Sequence, residues 1–156
     1  MFALTGCPWS TEGDTSPHNA GNATGWYIPY LYTSELVPFD SINIWHDGNV
    51  LRAQDDRGII WHGNTGADIP TTQVTSGEET SSVYGGFQGY LETTNQDTGL
   101  TEWMRGNFFE ATLIIYGETF TGVWFEGTYT RSDTYDSGGF LLYSPTQFRM
   151  PGTTTQ

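Results

Sequence analysis

The sequence predicts an all-β protein: a single small antiparallel β-barrel of about eight strands, with a two-sheet β-sandwich or jelly roll as the alternative. Three observations carry that expectation. Beyond residue 25, apolar residues recur at period two, the spacing of half-buried strands. Gly, Asn, Asp or Pro interrupts the alternation about every ten residues, the rhythm of antiparallel turns. The longest alternating hairpin, roughly residues 107–130, suits strands that tilt and coil around a barrel.

The elements follow in order. Residues 1–25, with "CPWSTEGDTSPHNAGNATG", read as an irregular arm or lid, 26–149 as the barrel domain and 150–156 as a flexible tail. "WYIPYLYT" is the first strand, and Pro29 places it at an edge or bulge. "SINIWH" and "NVLRAQ" flank Asp47-Gly48, a two-residue hairpin signal. "GIIWHG" follows the turn "DDRG". "GADIPTTQVTSGEETS" reads as a long loop with a short strand at "TTQVT". "SVYGGFQGYLET" is a strand whose glycines permit a bend in a barrel wall. "LTEWMRGNFFEATLIIY" and "TFTGVWFEGTYTR" are joined at Gly117-Glu118, and "FLLYS" is last.

The assumed turns assign faces. With Asp47-Gly48 as the loop, and "DDRG" as a four-residue loop, Ile42, Ile44, His46, Leu51, Ala53, Ile60 and His62 share an apolar inner face. Asn43, Trp45, Val50, Arg52 and Trp61 share the outer one, with Arg52 beside Trp61 in a cation–π arrangement. A slip of one residue at "DDRG" would send Trp61 and His62 to opposite faces. In the long hairpin, Phe109, Ala111, Leu113, Ile115, Phe120 and Trp124 share one apolar face, taken as the core. Glu126, Arg105 and Asn107 project from that same face. Glu126 is thus a buried carboxylate, held by a structural ion pair or acting as a general acid/base.

The charge excludes several partner classes. The chain has 18 acidic residues against five Arg and no Lys, a net charge of −13. Such a chain repels phosphate backbones and anionic lipid surfaces, so nucleic acid and membrane are not expected partners. Cys7 is the one cysteine, which removes intramolecular disulfides and Cys-based zinc sites. Neither His46 nor His62 has a third ligand at metal-binding spacing, so no metal is expected, and no motif calls for a cofactor. "NAT" at Asn22 matches a glycosylation sequon. The first residues lack the basic and apolar runs of a signal peptide, and a cytoplasmic location is the expectation.

Two pieces of the chain, "ELVPFDSINIW" and "FFEATLIIYGETFTGVWFEGTY", resemble the allene oxide cyclase family of calycin-like barrels. The resemblance implies an eight-stranded barrel with an apolar cavity, in a class that includes cofactor-free cyclases and binding proteins. It carries over no catalytic residue, because that family's catalytic N-terminal strand has no counterpart here.

Three functions are compatible with these features. The first is a small-molecule barrel, a carrier or a cofactor-independent cyclase or isomerase of an apolar substrate. There Glu126, His46 and His62 would be the catalytic residues, and Phe109, Trp124, Arg105 and Phe120 would bind substrate. It requires an open interior. The second is a carbohydrate-binding module or lectin that stacks glycans on the face carrying Trp45, Trp61 and Arg52. The third is a structural or decoration protein of a larger assembly. Oligomeric state is open in all three, with a homodimer compatible.

Overall fold

A computed structural model of the chain describes residues 3–7, 10–13, 22–30, 36–69, 72–76, 79–134 and 137–145. Within these are eleven strands: β1 (Ala3–Cys7), β2 (Ser10–Gly13), β3 (Gly25–Pro29), β4 (Ile42–Asp47), β5 (Val50–Asp55), β6 (Ile60–Ile69), β7 (Thr72–Ser76), β8 (Glu79–Thr94), β9 (Thr101–Ile115), β10 (Glu118–Arg131) and β11 (Ser137–Ser144). Eight of them close an antiparallel ring in the order β6-β5-β4-β3-β11-β10-β9-β8, and β8 pairs back to β6. The protein is therefore a closed β-barrel. β7 adds to the first part of β8 outside the ring. β1 and β2 form a separate hairpin within the segment read from sequence as an irregular arm.

Three turns fix the registers, and each differs from the sequence expectation by one residue. The β4–β5 loop is Gly48-Asn49, with Asp47 opposite Val50. Gly48 has φ 63° and takes the first central position, where a II′ turn needs glycine. The β9–β10 loop is Tyr116-Gly117, both at positive φ (51° and 82°), as a I′ turn demands. These two loops move the pairing by two positions in sum, so the residues expected to share a face still share it.

The β5–β6 turn has the larger consequence. Gly58 N donates to Asp55 O at 2.9 Å, Asp55 N donates to Ile59 O at 3.1 Å, and Gly58 has φ 85°. This is a three-residue loop, Asp56-Arg57-Gly58, closed by a glycine bulge. Gln54 consequently pairs with Ile60, Ala53 with Trp61 and Arg52 with His62. The one-residue difference from a four-residue loop turns Trp61 inward and His62 outward.

The core lies inside the ring. Tyr27, Ile42, Ile44, Leu51, Ala53, Trp61, Phe87, Leu91, Met104, Phe108, Phe125, Tyr129, Phe140 and Leu142 are buried there. Phe108 and Phe125 stack with centroids 3.9 Å apart and planes 8° apart. Phe87 meets Phe108 at 5.5 Å, and Phe140 meets Phe125 edge-on at 4.8 Å. The wall makes room for this ring column with small residues: Gly89, Gly106 and Gly127 lie in one row across β8, β9 and β10. A Cβ on Gly89 would enter the Phe108 ring, and one on Gly106 would meet the Glu126 carbonyl.

The core face of the long hairpin is the opposite of the expected one. Met104, Phe108, Val123, Phe125 and Tyr129 belong to the inner core, with Glu102 and Glu110 buried on the same face, while Phe109, Leu113, Phe120, Trp124 and Glu126 lie on the other side of the wall, where Trp124 is buried too and Glu126 is exposed. That outer side is itself aromatic. Trp124 packs at 4.5 Å on Tyr143 and edge-on at 6.4 Å to Phe120, and donates its Nε1 to Ala111 O at 3.3 Å.

Candidate functional site

Both ends of the ring column close on buried polar groups. At one end is His46, whose ring lies 4.9 Å from Phe87. Its Nδ1 accepts from Ala23 N at 3.1 Å, which leaves Nε2 protonated and donating to Gly48 O at 2.8 Å. Residues 22–24 lie against the end of β4 here. Asn22 Nδ2 donates to His46 O, His46 N donates to Thr24 Oγ1, and Tyr27 Oη donates to Ala23 O at 2.6 Å. The amide of the Asn22 sequon is thus engaged within the fold.

At the other end two buried carboxylates share one guanidinium. Asp55 accepts from Arg57 N (2.8 Å), Ile59 N (3.2 Å), Trp61 Nε1 (3.0 Å) and Arg57 Nη2 (2.7 Å). Arg57 Nη2 also reaches Glu102 Oε1 at 3.2 Å, and Tyr129 Oη donates to that same oxygen at 2.8 Å. Burial alone would lower the Arg57 pKa. Its bond to Asp55 and the charge of Glu102 outweigh that, and the pKa is raised. Burial, followed by the bond to Glu102, raises Tyr129 well above an ordinary phenol. The arrangement is a satisfied polar plug, with both carboxylates buried.

The residues singled out from the sequence are scattered by this geometry. His46 is inside and His62 outside, so the two cannot share a ligand or a metal. Glu126 is exposed on the outer wall, opposite Asn107. Phe109, Phe120 and Trp124 share a face as expected, and Arg105 lies farther along it, but that face is the barrel's outside. Trp61 leaves the outer set and takes up its place in the core, so Arg52 has His62 and Trp45 as its cross-strand neighbours. Among the described residues no group of three or more His, Cys, Asp or Glu is placed to hold a metal ion.

The outer wall carries a register of exposed aromatic and polar side chains. One ladder row runs Trp45–Arg52–His62–Glu92–Trp103–Thr130 through five successive strand pairs. Trp26 pairs with Asn43, two residues before Trp45, and Asn43 pairs with Gln54. The two indoles are therefore diagonal neighbours on adjacent strands, roughly 7–8 Å apart at the backbone. Trp26 is 59% and Trp45 45% exposed. Asn43 and Gln54 continue the row that Trp26 begins, and Arg52 stands beside Trp45. Ile28 and Val50 border this face and are also exposed.

Farther round the wall, two shallow grooves flank Arg105. One, of about 480 Å3, is lined by Gln88, Tyr90, Arg105 and Asn107; the other, of about 420 Å3, by Trp103, Arg105, Thr128 and Thr130. The Arg105 guanidinium lies 5.3 Å from the Tyr90 ring centroid. Tyr90 Oη donates to Glu92 Oε1 at 2.6 Å. Burial, with that bond, pushes the Tyr90 pKa up to about 12.

Sequence reasoning missed Trp26, Tyr90 and Trp103 as candidates. Each stands at period two from a polar outer residue, but the β3–β4 pairing that places Trp26 and the β8–β9 pairing that places Tyr90 and Trp103 have no short turn in the sequence from which a register could be read. Compared with models of protein families, curated proteins and solved structures, the chain matches none.

Proposed function

We propose that the protein is a carbohydrate-binding barrel whose ligand lies on the outer wall, on the Trp26–Trp45 platform. One observation carries the reading: two neighbouring indoles are exposed side by side among Asn43, Gln54 and Arg52. Flat rings bind the apolar face of a sugar, and neighbouring amide and guanidinium groups bond its hydroxyls. An exposed tryptophan keeps its place against solvent at a cost in hydrophobic free energy, which a stacked ligand offsets.

The resemblance to allene oxide cyclases favours instead an apolar ligand, carried or cyclised within the barrel. The stacked Phe87, Phe108, Phe125 and Phe140 weigh against it, because they occupy the interior between the two polar plugs. A second outer-wall reading has an observation of its own. Ile28 is 54% and Val50 49% exposed beside the indoles, an apolar rim that would suit docking in a larger assembly.

A glycan array probed with the intact protein and with Trp45→Ala tests the proposal. Binding to a defined set of glycans is expected, weakened about tenfold or more by the substitution, with the thermal transition unchanged. No glycan bound, together with a large particle by light scattering that Trp45→Ala dissociates, would replace this reading with the docking one.

A further inference from the structure

Arg105 has no counter-ion among the described residues, in a chain that has acids to spare. Arg57 pairs with Asp55 and Glu102, and Arg131 pairs with Asp133 at 2.6 Å. Arg105 forms no ion pair with any described residue. Two carboxylates stand close by in the sheet. Glu92 is two residues from Tyr90, which pairs with Arg105, and Glu126 is two from Thr128, which also pairs with it. Glu92 is engaged by the Tyr90 hydroxyl, and Glu126 lies one row away opposite Asn107.

The guanidinium is nevertheless held in place. It stacks over Tyr90, whose ring is anchored in turn by the bond to Glu92. One N–H of this guanidinium donates to the Tyr90 hydroxyl oxygen, and the remaining N–H groups of its edge form a donor fork that matches a carboxylate in two parallel bonds. On either side of that fork are neutral hydrogen-bonding groups: Gln88 and Asn107 in one groove, Thr128 and Thr130 in the other. Trp103 adds an aromatic surface to the second groove.

We infer that this saddle is a second binding site, separate from the tryptophan platform, and that it takes a carboxylate-bearing sugar. The carboxylate docks on the Arg105 fork, a sugar ring lies along Trp103, and hydroxyls bond to Asn107, Gln88, Thr128 and Thr130. The net charge of −13 does not forbid this. At physiological ionic strength charges farther than about 8 Å are largely screened, so the contact pair governs a small ligand. The same net charge selects against densely sulfated or phosphorylated chains, whose many charges the acidic surface would repel.

Calorimetric titration of the whole protein with oligogalacturonate and its carboxyl-reduced form, and with sialyllactose and lactose, tests the inference. These pairs separate a hexuronate from a sialic acid as the source of the carboxylate. At least one acidic sugar is expected to bind about tenfold tighter than its neutral counterpart, with an affinity that falls as salt is added. Arg105→Gln should abolish that preference, and Trp45→Ala should leave it in place. Equal binding of acidic and neutral sugars would overturn the carboxylate site and leave the glycan reading standing. A preference lost in Trp45→Ala but kept in Arg105→Gln would move it to the platform and overturn the second site. Absence of binding in every arm would overturn both. Self-association lost in Arg105→Gln would overturn the carboxylate-sugar site alone, since the fork would then hold a carboxylate of a second copy.

Discussion

Asp55 holds the β5–β6 turn by binding the amides of Arg57 and Ile59 on one oxygen and the indole of Trp61 on the other. That carboxylate thus connects a local turn to the choice of which residues enter the core. Asp55→Ala would leave two part-buried amides and the buried Trp61 N–H without an acceptor and would remove one partner of a shared guanidinium. A loss of about 3–5 kcal/mol is expected, read from urea denaturation. Glu102 and Tyr129 would still engage Arg57 and each other, so the variant should keep a barrel rather than unfold outright. A cost below about 1 kcal/mol would mean that the plug is solvated and that the register rests on Gly58 alone.

At the scale of elements, β8, β9 and β10 are the long staves, at 16, 15 and 14 residues, and the glycine row lets them bend around the ring column. Gly89→Ala puts a methyl group into the ring that Phe108 stacks on Phe125. The rings must shift, and a loss of about 1–3 kcal/mol is expected by chemical denaturation. Gly106→Ala meets backbone, which cannot turn aside, and should cost more. An equal cost for both would place the constraint in chain entropy rather than in the rings.

Legibility in the sequence follows the same elements. β4 and β5 alternate cleanly between apolar and polar, and their faces were readable although the loop lay one residue away. β9 and β10 were not readable in this way, because Phe108-Phe109 and Trp124-Phe125 put rings on both faces at once. Period two tells which residues travel together, and burial on both sides of a wall removes the cue for inside and outside. The "DDRG" turn was ambiguous for another reason: its glycine serves equally in three- and four-residue loops, and only the bonds of Asp55 decide. Of the outer wall, Trp45 and Arg52 were visible early, whereas their neighbour Trp26 depended on the β3–β4 register.

At the scale of the whole molecule, four phenols spread around the barrel hold their protons more tightly than they would in an open chain. Tyr27 and Tyr143 are raised by burial, Tyr129 by burial and Glu102, and Tyr90 to about 12 by burial and Glu92. In the unfolded chain each phenol ionises near the ordinary value of about 10. Above that pH the unfolded state sheds protons that the folded state keeps, so the balance shifts toward unfolding. Stability from these groups is complete below about pH 10 and is lost as pH rises through about 12 for Tyr90. Phenolate absorbance is therefore expected to rise together with loss of the barrel's circular dichroism. Titration of Tyr27, Tyr90, Tyr129 and Tyr143 near the ordinary phenol value with the fold intact would contradict this.

The ring is not equally sewn all the way round. Among the described residues β9 and β10 are matched over fourteen register pairs, whereas β3 joins β11 through two, Leu142–Pro29 and Tyr143–Ile28, aided by a bond from Tyr30 N to Leu141 O. Pro29 has no amide hydrogen to offer that seam. A closed wall presents no raw edge to other molecules. Release of this one short stave would expose two at the same instant, along β4 and along β11. The contour most resistant to β-sheet aggregation is therefore guarded by its least-stitched strand. Conditions too mild to melt the barrel could still turn it into a template for its own kind.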